Sequence, residues 1–530
     1  MSEYQKSFKP WVPRWLMLTA IILTLIPIGS VLGIYIGGVP SAMSYYSADG
    51  NDIRFSVVVF YLAIVCTFPL EKKFFNRFAS KPYFVANCII FVVINLILYN
   101  SKSLAILIIF RFIGGALTLT FIGALFTLVF QQFHSQRTRV LGYAILYGIL
   151  IGSTPLSYII DAFVFSNYDF NAIFILKIFF CLPGFILLFF CLKNNVDFRN
   201  SKEPLRNIEW QSYILYSATL ITAAYALLYG QYYGWFHSVH FTFSVILFVI
   251  FLMAFILRQL KLENPYINLS IYKYRNFRIG MLMLVAFYLA KGDTSVSYGF
   301  LANSIGLDVY FKSYVMLING LGILVGMGLT ARFILAKTKI RLIWLTGFGA
   351  LLFYHIYMLF ILGNQAETND VLIPLFFQGF GNGTLMLSIV IFYVTSVPQE
   401  ISFAASVTGV SYRFFTFTSS MALVAFLGLH QGSIHYHNYA QEIVVTNPKN
   451  IQHLNSFKNT LLQNGASNLQ ATVGANKMLG TEIKKQINLL YARDYYLYMS
   501  FFIIFVMLSI ALIPHFHYKL RKIGDKLIPI

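Results

Sequence analysis

The feature that most constrains this chain is a repeated pattern of apolar blocks, each about as long as a membrane is thick. Blocks of roughly 20 residues recur along the sequence, and about 20 helical residues cross the ~30 Å hydrocarbon core of a bilayer. A helix satisfies its own backbone hydrogen bonds in lipid, so we interpret each block as a membrane-spanning helix. The composition agrees, because only 11% of the 530 residues are charged, against about a quarter in soluble domains.

Hydropathy places roughly fourteen spans, which we number in chain order. They begin near Trp15, Phe55, Tyr83, Leu104, Val140, Ala172, Gln211, Phe241, Ile279, Lys312, Leu342, Val371, Phe403 and Tyr495. The N-terminal stretch MSEYQKSFKPWVPRW leads directly into span 1 without a small-residue cleavage site, so we expect no cleaved signal peptide. The sequence therefore predicts an all-α polytopic membrane protein.

The net charge of +20 is a topology signal. If the N-terminus is cytoplasmic, the cytoplasmic segments carry 26 of the 39 Lys and Arg residues, the short outer loops carry three and one long outer loop carries six. This bias is the one that positions membrane proteins with their basic loops inside. We therefore expect both termini in the cytoplasm, and we exclude nucleic acid as a partner.

A long hydrophilic segment separates spans 13 and 14. Its NPKNIQHLNSFKNTLLQ and TEIKKQINLLYARDYY carry apolar residues near helical spacing, and NGASN between them indicates a turn. We predict a helical hairpin over residues 430–493 on the outer face. Small residues also recur at four-residue spacing, at Gly148 and Gly152 and at Gly322 and Gly326, which favours close helix crossings.

Several segments, taken in order, resemble the major facilitator superfamily. The inner loop ENPYINLSIYKYRNFRIG is similar to a signature that follows span 8 in its fourteen-span drug/proton antiporters, although Asn268 stands where an acid is usual. Span 12 with its loop, PLFFQGFGNGTLMLSIVIFYVTSVPQE, and span 13, ASVTGVSYRFFTFTSSM, are also close to that pattern. The long outer loop and the turn YGQYYGWFHS match as well. We identify the chain as similar to the EmrB/QacA type.

This resemblance implies a fold and a function. The expected fold has an N-terminal six-helix bundle (1–192), a linker with two extra spans (193–278) and a C-terminal six-helix bundle (279–530). The expected function is proton-coupled export of lipophilic molecules by alternating access from the bacterial inner membrane. A periplasmic adaptor and an outer-membrane channel are the implied partners.

The sequence also departs from the family. In the loop FPLEKKFFNRFASK, Lys72 and Ala79 stand at positions where the family has glycine. The family carries a span 1 aspartate linked to proton coupling, nine residues before a Val-Ala-Leu-Pro. Counting back from Pro40 gives Val31, so the usual coupling acid is absent.

One carboxylate lies deep in the membrane. Of the nineteen Asp and Glu residues, only Asp293 lies far from both ends of its span, and a charge at mid-bilayer costs about 2.5–3.5 kcal/mol on insertion scales. On a regular helix Asp293 shares a stripe with Ser297, and Lys291 shares a neighbouring stripe with the three residues Tyr288, Ser295 and Tyr298. We expect this polar sector to line a water-reachable cavity.

Two interpretations of this pair remain open. In the functional one, Asp293 replaces the missing span 1 aspartate as the proton-binding group, and Lys291 faces substrate or tunes Asp293. In the structural one, the pair holds span 9 to its neighbours. Gly292 between them allows a local distortion of the helix.

Further polar residues complete the set of candidates. Arg111 in span 4 corresponds to a family arginine linked to proton coupling, and it could instead satisfy carbonyl groups. For Arg413 in span 13 we favour a conformational or packing role, and it is also a candidate for the substrate cavity. Gln378 and Asn382 in span 12 could line a pore or join helices. Because deep cations outnumber the deep acid, we expect a neutral or anionic substrate.

Alternative functions stay open at this point. A dedicated exporter of one endogenous metabolite fits the same features, and so does an uncoupled, transporter-derived sensor. The sequence carries none of the His-Glu-x-x-His, Gly-x-Ser-x-Gly or phosphate-loop motifs, so we do not expect an enzyme. We expect no metal and no cofactor.

Overall fold

The computed structural model describes residues 7–34, 38–78, 80–132, 138–194, 208–303, 305–363, 367–442 and 448–512. Regular structure within these ranges is helical. The α-helices are α1 (Arg14–Gly33), α2 (Val39–Tyr46), α3 (Gly50–Phe78), α4 (Lys81–Asn100), α5 (Leu104–Gln131), α6 (Thr138–Gly152), α7 (Thr154–Asn167), α8 (Ala172–Cys191), α9 (Trp210–Tyr229), α10 (Val239–Lys261), α11 (Arg275–Ala290), α12 (Thr294–Asn303), α13 (Val309–Leu335), α14 (Ile340–Ile361), α15 (Thr368–Thr395), α16 (Ser402–Glu442), α17 (Pro448–Gln463) and α18 (Asn468–Leu512).

The fourteen predicted spans are confirmed, since fourteen segments within the described ranges are long and apolar enough to cross a membrane. Twelve are single helices, whereas span 5 consists of α6 and α7, and span 9 of α11 and α12. The helices begin within five residues of the predicted positions, except in span 14. There α18 begins at Asn468 and not near Tyr495, because the helix extends far beyond the apolar segment.

Spans 5 and 9 are both interrupted near their middle. In span 5 the break lies at Ser153, and Pro155 opens α7, where its missing N–H costs no hydrogen bond. In span 9, Lys291 closes α11 and α12 starts at Thr294. The regular helix that we assumed for span 9 is therefore wrong. Lys291 follows α11 and Asp293 precedes α12, so helical spacing does not relate the directions of their side chains.

The helical hairpin between spans 13 and 14 is confirmed. The two helices α17 and α18 are joined by a short turn in which Gly465 adopts a left-handed φ of 87°, a conformation that glycine takes without strain. The helices α16, which ends at Glu442, and α18 each extend from the membrane towards the hairpin as one helix, and neither contains a proline. We call the side from which they project the hairpin face, and the side where α1 begins the starting face.

The apolar core falls into large clusters along the chain. One combines side chains from α1 to α8, and two others combine side chains mainly from α11 to α16 and from α18. The pair α9 and α10 pack on each other, and α9 also packs on α3. Contacts between the earlier and later spans run mainly through α13, which lies against α6 and α7, and through α16, which lies against α3.

The closest helix crossing joins α13 and α15. A Cβ atom placed on Gly322 or Gly326 would overlap backbone carbonyl oxygens of α15, and one placed on Gly379 or Gly383 would overlap carbonyl oxygens of α13. Small residues allow such backbone approach in membranes, where packing replaces the hydrophobic effect as the force between helices. The four-residue glycine spacing in span 10 therefore marks a real crossing.

Gly326→Ala is expected to lower the thermal stability of the purified protein, by about 1–3 kcal/mol for an overpacked contact. Its matched control is Gly328→Ala on the same helix, where an added Cβ meets no atom within 4 Å. Thermal unfolding of both variants in the same detergent provides the comparison. Equal unfolding temperatures for the two variants would contradict this crossing.

Candidate functional site

The break in span 9 places two ionisable side chains in different surroundings. Asp293 lies among polar residues of the later spans, and we call this group the aspartate cluster: Asp293, Tyr354, Gln378 and Tyr496. Lys291 lies beside aromatic residues, in a group that we call the tyrosine–cation site: Lys291, Tyr288, Arg413, Tyr393, Tyr147 and Tyr143. Lys291 of the one group and Asp293 of the other are separated only by Gly292.

In the aspartate cluster, both carboxylate oxygens of Asp293 accept hydrogen bonds. The amide Nε2 of Gln378 in α15 donates to Oδ1 over 2.7 Å. The hydroxyl of Tyr354 in α14 donates to Oδ2, and the hydroxyl of Tyr496 in α18 lies 3.5 Å from the same oxygen. Three helices therefore converge on one carboxylate.

A second layer holds these donors in place. Asn319 of α13 donates to Oε1 of Gln378 over 2.8 Å, which orients the amide so that its NH₂ group points at Asp293. The hydroxyls of Tyr354 and Tyr496 lie 3.0 Å apart. His355 packs its ring against Tyr496, with the centroids 5.6 Å apart.

His355 is itself fully buried, with 0% exposure. Its Nδ1 lies 2.7 Å from the carbonyl oxygen of Leu351, which can only accept, so Nδ1 carries the proton. Its Nε2 has no hydrogen-bond partner among the residues that the structure describes. The imidazole therefore lies next to the aspartate cluster as a neutral ring with an unused acceptor.

The expectation that Asp293 lines an open cavity is wrong for this conformation. The residue is 0% exposed, and its carboxylate is enclosed by Tyr354, Tyr496 and Gln378. The spacing of polar residues in span 9 predicts a polar helix face but not which residues contact that face. The break directs the Asp293 side chain towards α14, α15 and α18 of the later spans. Gln378 likewise joins helices here.

The hydrogen bonds of this arrangement stabilise the ionised form of the carboxylate. A carboxylate accepts several hydrogen bonds, whereas a protonated acid keeps less acceptor capacity. Hydrogen bonds to charged groups contribute about 1.5–3 kcal/mol each. Since no cation among the described residues forms an ion pair with Asp293, these hydrogen bonds are what stabilises its charge. Protonation would therefore weaken the contacts that hold the start of α12 against α14, α15 and α18.

The tyrosine–cation site contains two cations. The Nζ atom of Lys291 lies 4.7 Å from the ring centroid of Tyr288, and the guanidinium of Arg413 lies 5.1 Å from that of Tyr147. Arg413 also donates a hydrogen bond of 3.3 Å to the Tyr147 hydroxyl. Cations within about 6 Å of an aromatic ring are attracted by its quadrupole.

Further tyrosines border this site. Tyr143 stacks on Tyr147 with the centroids 5.9 Å apart, and both belong to α6 of the earlier spans. Tyr288 and Tyr393 lie close enough to Arg413 to interact with its charge, and they belong to α11 and α15 of the later spans. The site therefore lies between the earlier and the later spans.

Neither cation of this site is neutralised by a contacting acid among the described residues. Arg413 is 8% exposed, and its Nε atom has no hydrogen-bond partner. Lys291 is half-buried, and its charge interacts with Arg413 and at longer range with Asp293. The arrangement therefore offers positive charge and aromatic surface together.

The other predicted residues of span 9 take different positions. Ser297 is buried, and its hydroxyl donates to the backbone oxygen of Asp293 over 3.3 Å, so it stabilises the first turn of α12. Ser295 is exposed. Tyr298 stacks on Tyr158 of α7 with the centroids 5.2 Å apart, and Lys312 lies 4.4 Å from its ring. The structure thus separates these three side chains.

Arg111 and Asn382 lie on helices of the earlier and the later spans, respectively. Arg111 in α5 is buried, places its guanidinium 4.2 Å from the ring of Phe60 and donates from Nε to the Ser56 carbonyl oxygen at 3.5 Å. Asn382 in α15 is buried, and its Oδ1 has no hydrogen-bond partner. Arg111 therefore contacts the carbonyl group that its structural interpretation predicts.

Sequence reasoning missed three residues of the aspartate cluster and its surroundings: Tyr354, Tyr496 and His355. Two signals were available. His355 is an ionisable side chain inside the apolar segment LLFYHIYMLF, and tyrosines whose hydroxyls need partners occur in both α14 and α18. Spacing along the chain could not show that these residues meet Asp293, because they come from separate helices.

Comparison with known proteins gives relatives of one kind. The chain is 25% identical over 271 residues to Multidrug resistance protein 3 of Bacillus subtilis, covering 48% of this chain and 50% of that protein. It is 21% identical over 416 residues to the probable multidrug resistance protein EmrY of Escherichia coli, covering 77% and 79%. It is 22% identical over 283 residues to the Multidrug export protein EmrB of Escherichia coli, covering 53% and 54%.

Solved structures support the fold. A POT family transporter in complex with 5-aminolevulinic acid aligns over 100% of both chains with a TM-score of 0.55 and 14% identity. A mutant form of the nucleoside transporter NupG aligns over 93% of this chain and 99% of its own, with a TM-score of 0.52 and 11% identity. At these identities the likeness concerns the fold alone.

The family profile described as Major Facilitator Superfamily matches residues 17–423, which is well over half of the chain. This match agrees with the fourteen apolar helices and with the transporter structures that share the fold. The chain is a transporter and not an enzyme, and it belongs to the Major Facilitator Superfamily.

Proposed function

We propose that this protein is a proton-coupled exporter of lipophilic molecules with a neutral or anionic polar group, which works by alternating access. The multidrug transporters among its relatives support an export role. In transporters built from repeated halves, substrates bind near the midplane between the halves. The tyrosine–cation site lies between the earlier and later spans and fits that position.

The observation that carries the proposal is the charge of this site. Lys291 and Arg413 supply two positive charges, and Tyr143, Tyr147 and Tyr288 surround them with aromatic surface. An anionic group would be attracted to the cations and a lipophilic body would pack on the rings. A lipophilic cation would be repelled by both charges.

Coupling follows from the short distance between the two clusters along the chain. With Asp293 ionised, its three donors fix the start of α12, and the break holds Lys291 beside Tyr288. When a proton binds Asp293, these hydrogen bonds weaken and the break is free to move, which displaces Lys291. Binding of substrate and binding of a proton at Asp293 therefore disfavour each other, as antiport requires.

Substituting the two cations tests the substrate site. In proteoliposomes, Lys291→Gln and Arg413→Gln are each expected to raise the KM for an anionic lipophile by about tenfold or more, a loss of about 1.4 kcal/mol. Arg413→Lys keeps the charge and is expected to lose less. The matched control Lys339→Gln removes an exposed charge at the starting face and is expected to change nothing.

Transport of cationic dyes alone, with Lys291→Gln and Arg413→Gln at wild-type KM, would place the substrate elsewhere. A single endogenous metabolite as the only transported compound would leave the site intact and narrow the function to a dedicated exporter.

We also propose that the hairpin is the contact for a periplasmic adaptor that leads to an outer-membrane channel. This places the protein in a bacterial inner membrane with both termini in the cytoplasm and the hairpin face outside. The helix α17 presents an uncharged polar surface beyond the membrane, formed by Gln452, Asn455, Ser456, Asn459, Thr460 and Gln463. Asn and Gln side chains on such a face offer both donors and acceptors to a partner helix.

Charges on this surface should separate assembly from transport. The double substitution of Asn455 and Asn459 by Arg is expected to abolish co-purification of a co-expressed adaptor and to leave transport in proteoliposomes unchanged. Arg substitution of Lys484 on α18 conserves charge and serves as the control. Full co-purification of the double variant would show that this surface is not the contact.

A further inference from the structure

A second carboxyl group is buried in the earlier spans, near the starting face. Glu71 lies at the end of the apolar segment Gly50–Glu71 of α3 and is 9% exposed. It faces α5 at Gly123, where an added Cβ would overlap its Oε1 atom. The carboxyl group therefore fills the space that the missing side chain of Gly123 leaves.

Glu71 differs from Asp293 in its partners. Its Oε1 is buried and accepts no hydrogen bond, whereas both oxygens of Asp293 accept at least one. The donors that stabilise the ionised form of Asp293 have no counterpart at this oxygen of Glu71 in the described part of the chain.

The described elements that pack around Glu71 present tyrosines and apolar side chains, and the cation Lys73 lies two residues away on α3 itself. Tyr83 of α4 lies close enough to interact with its charge, and α5 contributes Gly123. Tyr213 of α9 interacts with Cys66 and Thr67, one turn earlier on α3. Tyr266, in the loop before α11, donates a hydrogen bond from its hydroxyl to the Cys66 carbonyl oxygen on the same part of α3. The helix α16 packs on α3 through Phe403, Phe414 and Phe417, and α2 contacts the other end.

An ionised carboxylate with its Oε1 buried and without a donor among the described residues is disfavoured, because a buried charge that is not compensated costs several kcal/mol in proteins. A proton removes that cost. We propose that Glu71 is a proton-binding site of the earlier spans, which holds its proton while α3 and α5 are packed as they are here and releases it when they separate. Asp293 and Glu71 would then be in opposite states in this conformation, Asp293 ionised and Glu71 protonated.

A small cavity lies beside this position. A narrow cavity between α4, α5 and α8 is lined in part by Ser80, Tyr83, Asn87 and Thr120, and Ser80 precedes α4 at the starting face. Tyr83 borders this cavity and also interacts with Glu71. Polar groups of this kind can hold water that exchanges protons with the solvent.

The first test uses the wild-type protein in membranes. A lipophilic carbodiimide adds to protonated carboxyl groups, so peptide mass spectrometry is expected to find an adduct on Glu71 whose yield falls as pH is raised. No adduct on Glu71 at any pH, or a yield that does not change with pH, would overturn the proposal. This test needs no knowledge of the substrate.

The second test is backbone hydrogen exchange of α3 and α5 at acidic and alkaline pH, corrected for the intrinsic pH dependence of exchange. The wild type is expected to lose protection around Glu71 and Gly123 at alkaline pH. Glu71→Gln, which resembles the protonated acid, is expected to abolish this loss. The control Glu400→Gln, at an exposed acid, and Tyr83→Phe, which removes the neighbouring phenol, should keep it.

The two readouts separate this inference from the transport proposal. A pH-independent protection pattern in the wild type would refute the role of Glu71 and leave substrate export by the tyrosine–cation site unaffected. A pH-dependent pattern in Glu71→Gln equal to that of the wild type would refute it as well. Loss of transport in any variant has no bearing on either measurement.

Discussion

Asp293→Asn is expected to abolish proton-driven accumulation of substrate while substrate exchange across the membrane continues. Asparagine is uncharged at every pH, so the coupling step that releases and rebinds a proton is lost. Exchange requires only that the loaded protein bind substrate and change conformation. Both cations of the tyrosine–cation site remain in this variant, although substrate affinity should fall because asparagine resembles the protonated acid. Proteoliposomes with an imposed pH gradient measure accumulation, and labelled substrate on both sides measures exchange.

Two further variants make this result interpretable. Asp169→Asn alters an exposed acid at the hairpin face and is expected to behave as the wild type. Tyr354→Phe removes one donor from Asp293 and keeps the ring, so coupling should shift in pH without being lost. A substrate gradient of wild-type size in Asp293→Asn would show that the aspartate cluster only joins helices.

Gly292→Ala is expected to destabilise the protein and to slow transport strongly. A Cβ atom at this position would overlap the hydroxyl oxygen of Ser420 in α16 and lie 2.8 Å from its Cβ. The break in span 9 would then have to move away from α16, and overpacked sites cost about 1–3 kcal/mol. Thermal unfolding and initial transport rates measure the two effects.

A second substitution should rescue the defects of Gly292→Ala. Ser420→Gly removes both contacting atoms, so the double variant should recover stability and rate relative to Gly292→Ala alone. Gly299→Ala in α12 is the matched control, because an added Cβ meets no atom within 4 Å there. Similar losses in Gly299→Ala and Gly292→Ala would mean that the contact with Ser420 is not what the glycine provides.

The spans could be predicted from the sequence because each satisfies its own backbone hydrogen bonds in lipid and shows this as a block of apolar residues. Their ends were harder to place where the helix leaves the membrane. Polarity rises before Tyr495 in the direction of the hairpin, yet α18 extends back to Asn468, since helix formation outside the bilayer depends on propensity and packing.

The depth of Asp293 and Lys291 could also be predicted, because position along a span is a count of residues. What they face could not be predicted. The hydroxyls of Tyr354 and Tyr496 reach Asp293 from helices more than sixty residues away in the chain. Tyr147 meets Arg413 from a segment that is also remote in the chain.

The break between α11 and α12 has a local cause that the sequence contains, since Gly292 lies next to Lys291 and Asp293. A glycine in a helix costs about 1 kcal/mol relative to alanine, which weakens the helix but does not decide where it breaks. The structure adds a tertiary contact, because a Cβ atom at position 292 would overlap the Ser420 hydroxyl of α16 as it is placed here. Such tertiary contacts are invisible to periodicity.

The central claim is that the break in span 9 links substrate binding at Lys291 to proton release at Asp293, and the most direct measurement is the number of protons exchanged per substrate bound. Titration of the purified protein in buffers of different ionisation enthalpy gives this number. We predict proton release on binding in the wild type, and binding without proton release in Asp293→Asn. An unchanged release of protons in Asp293→Asn would contradict the account.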